Sequence, residues 1–139
     1  MRKDVVLMSK DGSVGIAYKV DQDVDAVTSG AILHLTVKDD AILPDFLALV
    51  LNSLVVKLQA ERDVGGSIIQ HWKPSEIADV KIPILSKTVQ VKLVDMVRQS
   101  FIAQKESVFL LDLAKRAVET AVEKGECEGL KILGGVKLI

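Results

Sequence analysis

The sequence predicts an α+β protein: a small mixed or antiparallel sheet with a covering helix, followed by one long protruding C-terminal helix. Three observations predict it. From Ser86 to about Lys124 there is no Pro and no Gly, and apolar residues recur three and four apart within the groups Val94, Val97 and Phe101, then Val108 and Leu111, then Val118 and Val122, the stripe of an amphipathic helix. Upstream, short runs rich in strand formers alternate with turn residues. Between the two, a segment opening on Pro44 repeats a helical pattern. At 1.5 Å per residue the long helix reaches roughly 57 Å, more than the width of a small domain. It is therefore expected to project, with a stripe that needs a partner. The expected division is a compact part over 1–85, the long helix over 86–124 and a short tail over 125–139.

Asp4 to Ser9 reads as a first strand. Asp11-Gly12 supplies the positive φ of a tight turn, and Val14 to Val20 returns as a second strand, with Gly15 inside it marking a bulge or a close backbone approach. Asp21 to Asp25 is an acidic, solvated loop. Ala31 to Val37 is a third strand, with His34 facing away from Leu33 and Leu35. Little sequence precedes Asp4 to complete this sheet, so the chain reads as starting inside a domain. Pro44 to Arg62 is expected as one helix, Pro44 at its first position and Asp45 at the positive end of its dipole. Leu47, Leu51, Leu54, Val55 and Leu58 form its apolar face, expected to cover the sheet. The helix stops before Gly65-Gly66. Pro74 to Ala78 reads as a helical turn, Asp79 to Pro83 as a last short strand, and Ser86 as the cap of the long helix. After Gly125, Leu130 to Leu133 and Val136 to Ile139 are short apolar pieces that either pack back or fray.

Composition narrows the class. The 139 residues are 49% hydrophobic and 27% charged, with a net charge of −1, which suits one folded domain plus an appendage. Charge alone gives no nucleic-acid footprint. A single cysteine, Cys127, excludes an intrachain disulfide framework. No apolar run approaches the ~20 residues of a membrane span, and residues 1–9 show no signal-peptide pattern; the expected location is cytoplasmic.

Catalytic chemistry is sparse. Two histidines, His34 and His71, and no nucleophile-elbow pattern leave only a weak case for a small Ser–His hydrolase. No spacing suits a metal, and Lys10 to Gly15 lacks the spacing of a phosphate-cradling loop. No cofactor is expected. Asp39-Asp40 reads as a solvated turn. The most chemically mixed segment is Gly66 to Pro74, with an amide, an imidazole, the one Trp and a lysine.

The order of these pieces resembles the C-terminal part of a target recognition domain of the type I restriction enzyme specificity subunit, followed by that subunit's spacer helix. The resemblance begins at Asp4-Val-Val-Leu-Met-Ser-Lys-Asp-Gly-Ser-Val-Gly15 and continues at Leu43-Pro-Asp-Phe-Leu-Ala-Leu-Val-Leu-Asn-Ser53. It is strongest at Ile77-Ala-Asp-Val-Lys-Ile-Pro83 followed by Gln90. It departs at Leu85-Ser86, where the family usually carries prolines. It implies a non-catalytic subunit that reads one half of a bipartite double-stranded DNA sequence. Its spacer helices pair antiparallel. Modification subunits, which transfer methyl groups from S-adenosylmethionine, dock on that frame, and restriction subunits join them. Residues 1–85 then correspond to a partial recognition domain, and the chain to a fragment or half-subunit that self-associates as a coiled-coil homodimer through the stripe above. Gln104 and Lys115 interrupt that stripe, as register-setting polar residues do. A second stripe of Ala103, Leu110, Ala114, Ala117 and Ala121 widens the face.

Candidate DNA contacts follow from residue chemistry. Gln70 can pair with adenine, Lys10 and Lys73 can reach guanine or phosphate, and Ser13, Ser67 and His71 can add polar contacts. Trp72 carries two readings, packing anchor and stacking platform, of which packing is the commoner. Against DNA stands the charge of residues 1–85, nine Lys and Arg against twelve Asp and Glu, a balance of −3, the wrong sign for meeting phosphates. The rival reading is a structural or oligomerising module that binds protein and no nucleic acid.

Overall fold

The computed structural model describes residues 1–65 and 68–134. The chain has two compact units, Met1–Val94 and Asp95–Ile139. The fold class expected from the sequence is the one observed: a small antiparallel sheet packed against helices, with a long helix towards the C-terminus.

Three strands build the sheet: β1 (Val6–Ser9), β2 (Ala17–Lys19) and β3 (Ile32–Leu35), in the order β2-β1-β3, all pairs antiparallel. Val6 stands opposite both Lys19 and Leu35. Val6 and Met8 point inward and are fully buried, while Leu7 and Ser9 face the other side, the alternation a half-buried strand requires. Leu33 and Leu35 pack on the core and His34 does not, as the alternation predicts. In the β1–β2 connection, Gly15 N–H donates to the Ser9 carbonyl at 2.8 Å and Ser9 N–H to the Ile16 carbonyl at 2.9 Å. Two residues thus face one, and Gly15 has φ +80°: a glycine bulge.

The helical segment after Pro44 differs from expectation. It is two helices, α1 (Pro44–Leu51) and α2 (Leu54–Asp63). The break lies where Asn52 turns its side chain to the sheet. Its Nδ2 donates to the Ala17 carbonyl at 2.7 Å and to the Ala48 carbonyl at 2.8 Å, and its Oδ1 accepts from Ala17 N–H at 3.1 Å. Ser53, at φ −77° and ψ 159°, is extended and starts α2 afresh. The break resets the helical phase. Leu54, Val55 and Leu58, expected to cover the sheet, are exposed, and α2 buries Val56 and Ala60 instead.

The expected strand Asp79–Pro83 does not form. After α3 (Pro74–Ala78) the chain runs irregularly to the long helix. At Lys81 both backbone groups are taken by one side chain: Lys81 N–H donates to Gln59 Oε1 and Gln59 Nε2 donates to the Lys81 carbonyl, each at 2.9 Å. An amide on α2 does the work of a neighbouring strand.

The long helix α4 (Lys87–Lys124) is continuous over 38 residues. Ser86 stands at its start, its carbonyl accepting from Val89 and Gln90. The first two turns belong to the first unit, because Gln90 and Val94 are buried there, Gln90 completely. Gln90 Nε2 donates to the carbonyls of Ala41 and Leu85, both at 2.7 Å, and its Oε1 accepts from Leu43 N–H at 2.9 Å. All of its strong hydrogen-bonding directions but one lone pair are used. The core around it holds Val6, Met8, Phe46, Val56, Trp72 and Val94.

In the second unit the tail beyond Gly125 is not frayed over its described part. Gly125, at φ +94°, ends α4 and begins α5 (Glu126–Leu133). α5 lies so close to α4 that a Cβ at Gly129 would sit 2.6 Å from Ala121 Cβ and 2.7 Å from the Ala117 carbonyl oxygen. Ala117 is buried by this contact. The piece Val136 to Ile139 lies outside the described residues.

Two outcomes test these contacts. Gln90→Met keeps the volume but removes three hydrogen bonds made by a completely buried amide. It should lower stability by about 2–4 kcal/mol, read as a lower urea midpoint at nearly unchanged m-value. Gly129→Ala should lift α5, raising amide exchange over 126–133, while the urea transition followed by Trp72 fluorescence stays where it was.

Candidate functional site

The β1–β2 turn and the segment before α3 are some sixty residues apart in sequence, and the fold joins them. Gly12 N–H donates to the Gln70 carbonyl at 2.9 Å, Trp72 N–H donates to the Lys10 carbonyl at 2.8 Å, and Asp11 and His71 form a β-bridge. This two-stranded ledge carries Lys10, Gln70, His71 and Lys73, with Ser13 exposed just past the turn. Five of the seven residues expected at a DNA surface are thereby brought to one region. Ser67 lies outside the described residues.

Trp72 does not face outward. It is 1% exposed, its ring lies against Gly15, and it belongs to the same core cluster as Ala60. Its Nε1 donates to Asp63 Oδ2 at 3.3 Å. Of the two readings of this residue, the stacking platform is overturned and the packing anchor stands: a buried indole has no free face for a base. It fastens the ledge to the core.

Electrostatics at the ledge centre on Asp11. Lys10 Nζ donates to its Oδ2 at 2.6 Å and His71 Nδ1 to its Oδ1 at 2.9 Å. The hydrogen bond from Lys10, and next that from His71, hold the Asp11 carboxyl below its ordinary value against a smaller opposing effect of desolvation. Asp63 is likewise held low, first by Arg62, with Trp72 contributing. Lys73 Nζ donates to Glu76 Oε1 at 3.2 Å, and Glu76 Oε2 accepts from Lys73 N–H at 3.1 Å at the start of α3. Both lysines of the ledge therefore have a carboxylate beside them.

Sequence reading passed over three features here. In the sequence Asp11 is a turn residue, and only the fold makes it the acceptor for Lys10 and His71. Ile68 and Ile69 stand exposed next to Gln70, two β-branched apolar residues after a glycine pair, which is the signal that could have marked them. Beside the ledge, an open groove of about 340 Å³ lies on the outer face of the sheet, lined among others by Leu7, Asp11, Ser13, Ile16, Tyr18 and Ile32.

Along α4 the expected pairing stripe divides. Val94 is buried in the first unit's core and is not available for pairing, and Val97 is half-buried. Phe101, Val108, Leu111, Val118 and Val122 are all exposed, Val122 by 82%. On the second stripe, Ala117 and Ala121 are met by Gly129 of α5. Among the described residues no group of three or more His, Cys, Asp or Glu is placed to hold a metal, and no helix is long and apolar enough to cross a membrane.

No protein-family model and no curated protein matches this chain.

The Asp11 pairings have a readable consequence. Because its folded-state pKa is lowered from 3.8, their contribution is complete above that value and is lost as pH falls through the lowered one. A carboxyl-carbon NMR titration should place the Asp11 midpoint below 3.8, and Lys10→Ala should move it back up. Equal midpoints in the two proteins would remove the Lys10 pairing as the cause.

Proposed function

We propose that this chain is a non-catalytic DNA sequence-recognition module, a specificity-subunit fragment of a type I restriction–modification system working in the cytoplasm. The observation that carries the reading is the ledge: polar side chains able to read base edges come from two distant segments and are stitched together by backbone hydrogen bonds. The resemblance in motif order supports it, and its residues hold structural posts here. Asn52 ties α1 to the sheet, and Gln90 ties the long helix to the start of α1. In this reading Lys10, Ser13, Gln70, His71 and Lys73 face double-stranded DNA. The exposed apolar residues Phe101, Val108, Leu111, Val118 and Val122 pair with a second copy or seat the modification subunit, with a restriction subunit joining that assembly.

A second reading is favoured by two observations, the balance of −3 over residues 1–85 and the exposed apolar run of α4. It is an oligomerising, protein-binding module without nucleic acid. The test is binding of mixed-sequence duplex DNA, followed by fluorescence anisotropy from low to moderate salt. Lys73→Ala should weaken binding similarly across sequences and reduce the log K against log salt slope by about 1. An unchanged slope removes Lys73 from the phosphate contacts, and no binding at low salt favours the protein-binding reading.

A further inference from the structure

We propose that His71 presents a bare Nε2, a hydrogen-bond acceptor, to the DNA duplex, and that Asp11 is the positioning residue that makes it one. The inference rests on the DNA-reading function above and assigns the polarity of one contact within it.

The argument starts with the proton count. Asp11 takes a hydrogen bond on each oxygen, from Lys10 Nζ on Oδ2 and from His71 Nδ1 on Oδ1. An ionised carboxylate has no hydrogen to give, so the bond to His71 requires the hydrogen on Nδ1. The lowered pKa of Asp11 keeps it ionised throughout the neutral range. A neutral imidazole carries one N–H, so with Nδ1 protonated Nε2 holds a lone pair. The backbone bridge between Asp11 and His71 fixes both side chains at their roots. The His71 side chain is 65% exposed, and its Nε2 has no partner among the described residues. The ledge thus offers a fixed acceptor to whatever docks on it.

An acceptor needs a donor. In the major groove the exocyclic amino groups are adenine N6 and cytosine N4, whereas guanine O6 and thymine O4 are acceptors that repel a second acceptor. At the position His71 meets, one strand should carry adenine or cytosine in preference to guanine or thymine. Releasing His71 from Asp11 frees the ring to put its hydrogen on Nε2, and the preference then fades or inverts. Loss of packing alone would weaken every sequence equally.

The test has two arms on the full chain at pH 8, above the usual imidazole range. In protein labelled with ¹⁵N-histidine, a two-bond ¹H–¹⁵N correlation should show His71 with protonated Nδ1 and bare Nε2. In Asp11→Ala the hydrogen should move substantially to Nε2. Asp11→Asn, which keeps the shape and can donate as well as accept, should lie between. A wild-type His71 with its hydrogen on Nε2 overturns the proposal. In the second arm, wild type and variants select from a pool of randomised duplexes at low salt. Wild type should favour adenine or cytosine at one position by roughly tenfold, Asp11→Ala should lose or reverse this, and His71→Ala should lose it. Selection without any such position overturns the role given to Nε2. If no duplex is retained at all, the DNA function itself fails, and the tautomer result still stands or falls by its own spectrum.

Discussion

Gln90 is the constraint on which the first unit depends. A long helix can begin against a globular core only if the chain entering it is fixed, and the entering backbone around Leu85 is not part of any sheet or helix. Backbone groups there and at Ala41 and Leu43 have no helix or sheet partner of their own and turn to the Gln90 side chain. One amide settles all three, using both of its hydrogens and its oxygen. Because the amide is completely buried, no water competes, and its bonds act in a low-dielectric setting where an unmade one would be expensive. The start of α1, the end of the irregular segment and the first turn of α4 therefore share one position. Val94, one turn on, then adds its side chain to the core.

The same device recurs twice. Asn52 satisfies both outward-facing groups of Ala17 on the free side of β2, and Gln59 satisfies both groups of Lys81. A three-stranded sheet leaves its edges unpaired, and this chain blunts one of them with a side chain instead of a strand. That economy explains how so small a sheet, with strands of three or four residues, can hold its helices in place. It also explains why α1 stops where it does: an asparagine that must reach sideways to β2 cannot also carry its helix forward.

These side-chain amides mark the limit of what the sequence discloses. The long helix was legible because an uninterrupted period of 3.6 over nearly forty residues has no competing reading. The strands and the glycine bulge were legible from alternation and from Gly15. What misled was local pattern without its tertiary partner. Leu54, Val55 and Leu58 continue the helical stripe of α1 in sequence, and nothing local says that Asn52 breaks the phase. Val80 and Ile82 alternate as a strand would, and nothing local says that Gln59, twenty-two residues away, takes the place of the neighbouring strand. At the site, residue types were legible and their neighbourhood was not: Lys10 and Gln70 could be singled out, but their adjacency is a product of the bridge between Asp11 and His71. Trp72 fell to packing because its ring is what secures that bridge to the core.

Charge is the remaining tension in the functional reading, and the ledge suggests how it resolves. A surface that binds DNA through phosphates alone carries unpaired lysines and arginines. Here Lys10 and Lys73 each sit beside a carboxylate, which lowers the net charge of the ledge, while the Lys73 side chain, 72% exposed, still presents its ammonium to solvent. What the ledge retains is directional: an amide, an imidazole anchored by Asp11, and two ammonium groups beside carboxylates. Such a surface discriminates better than it grips.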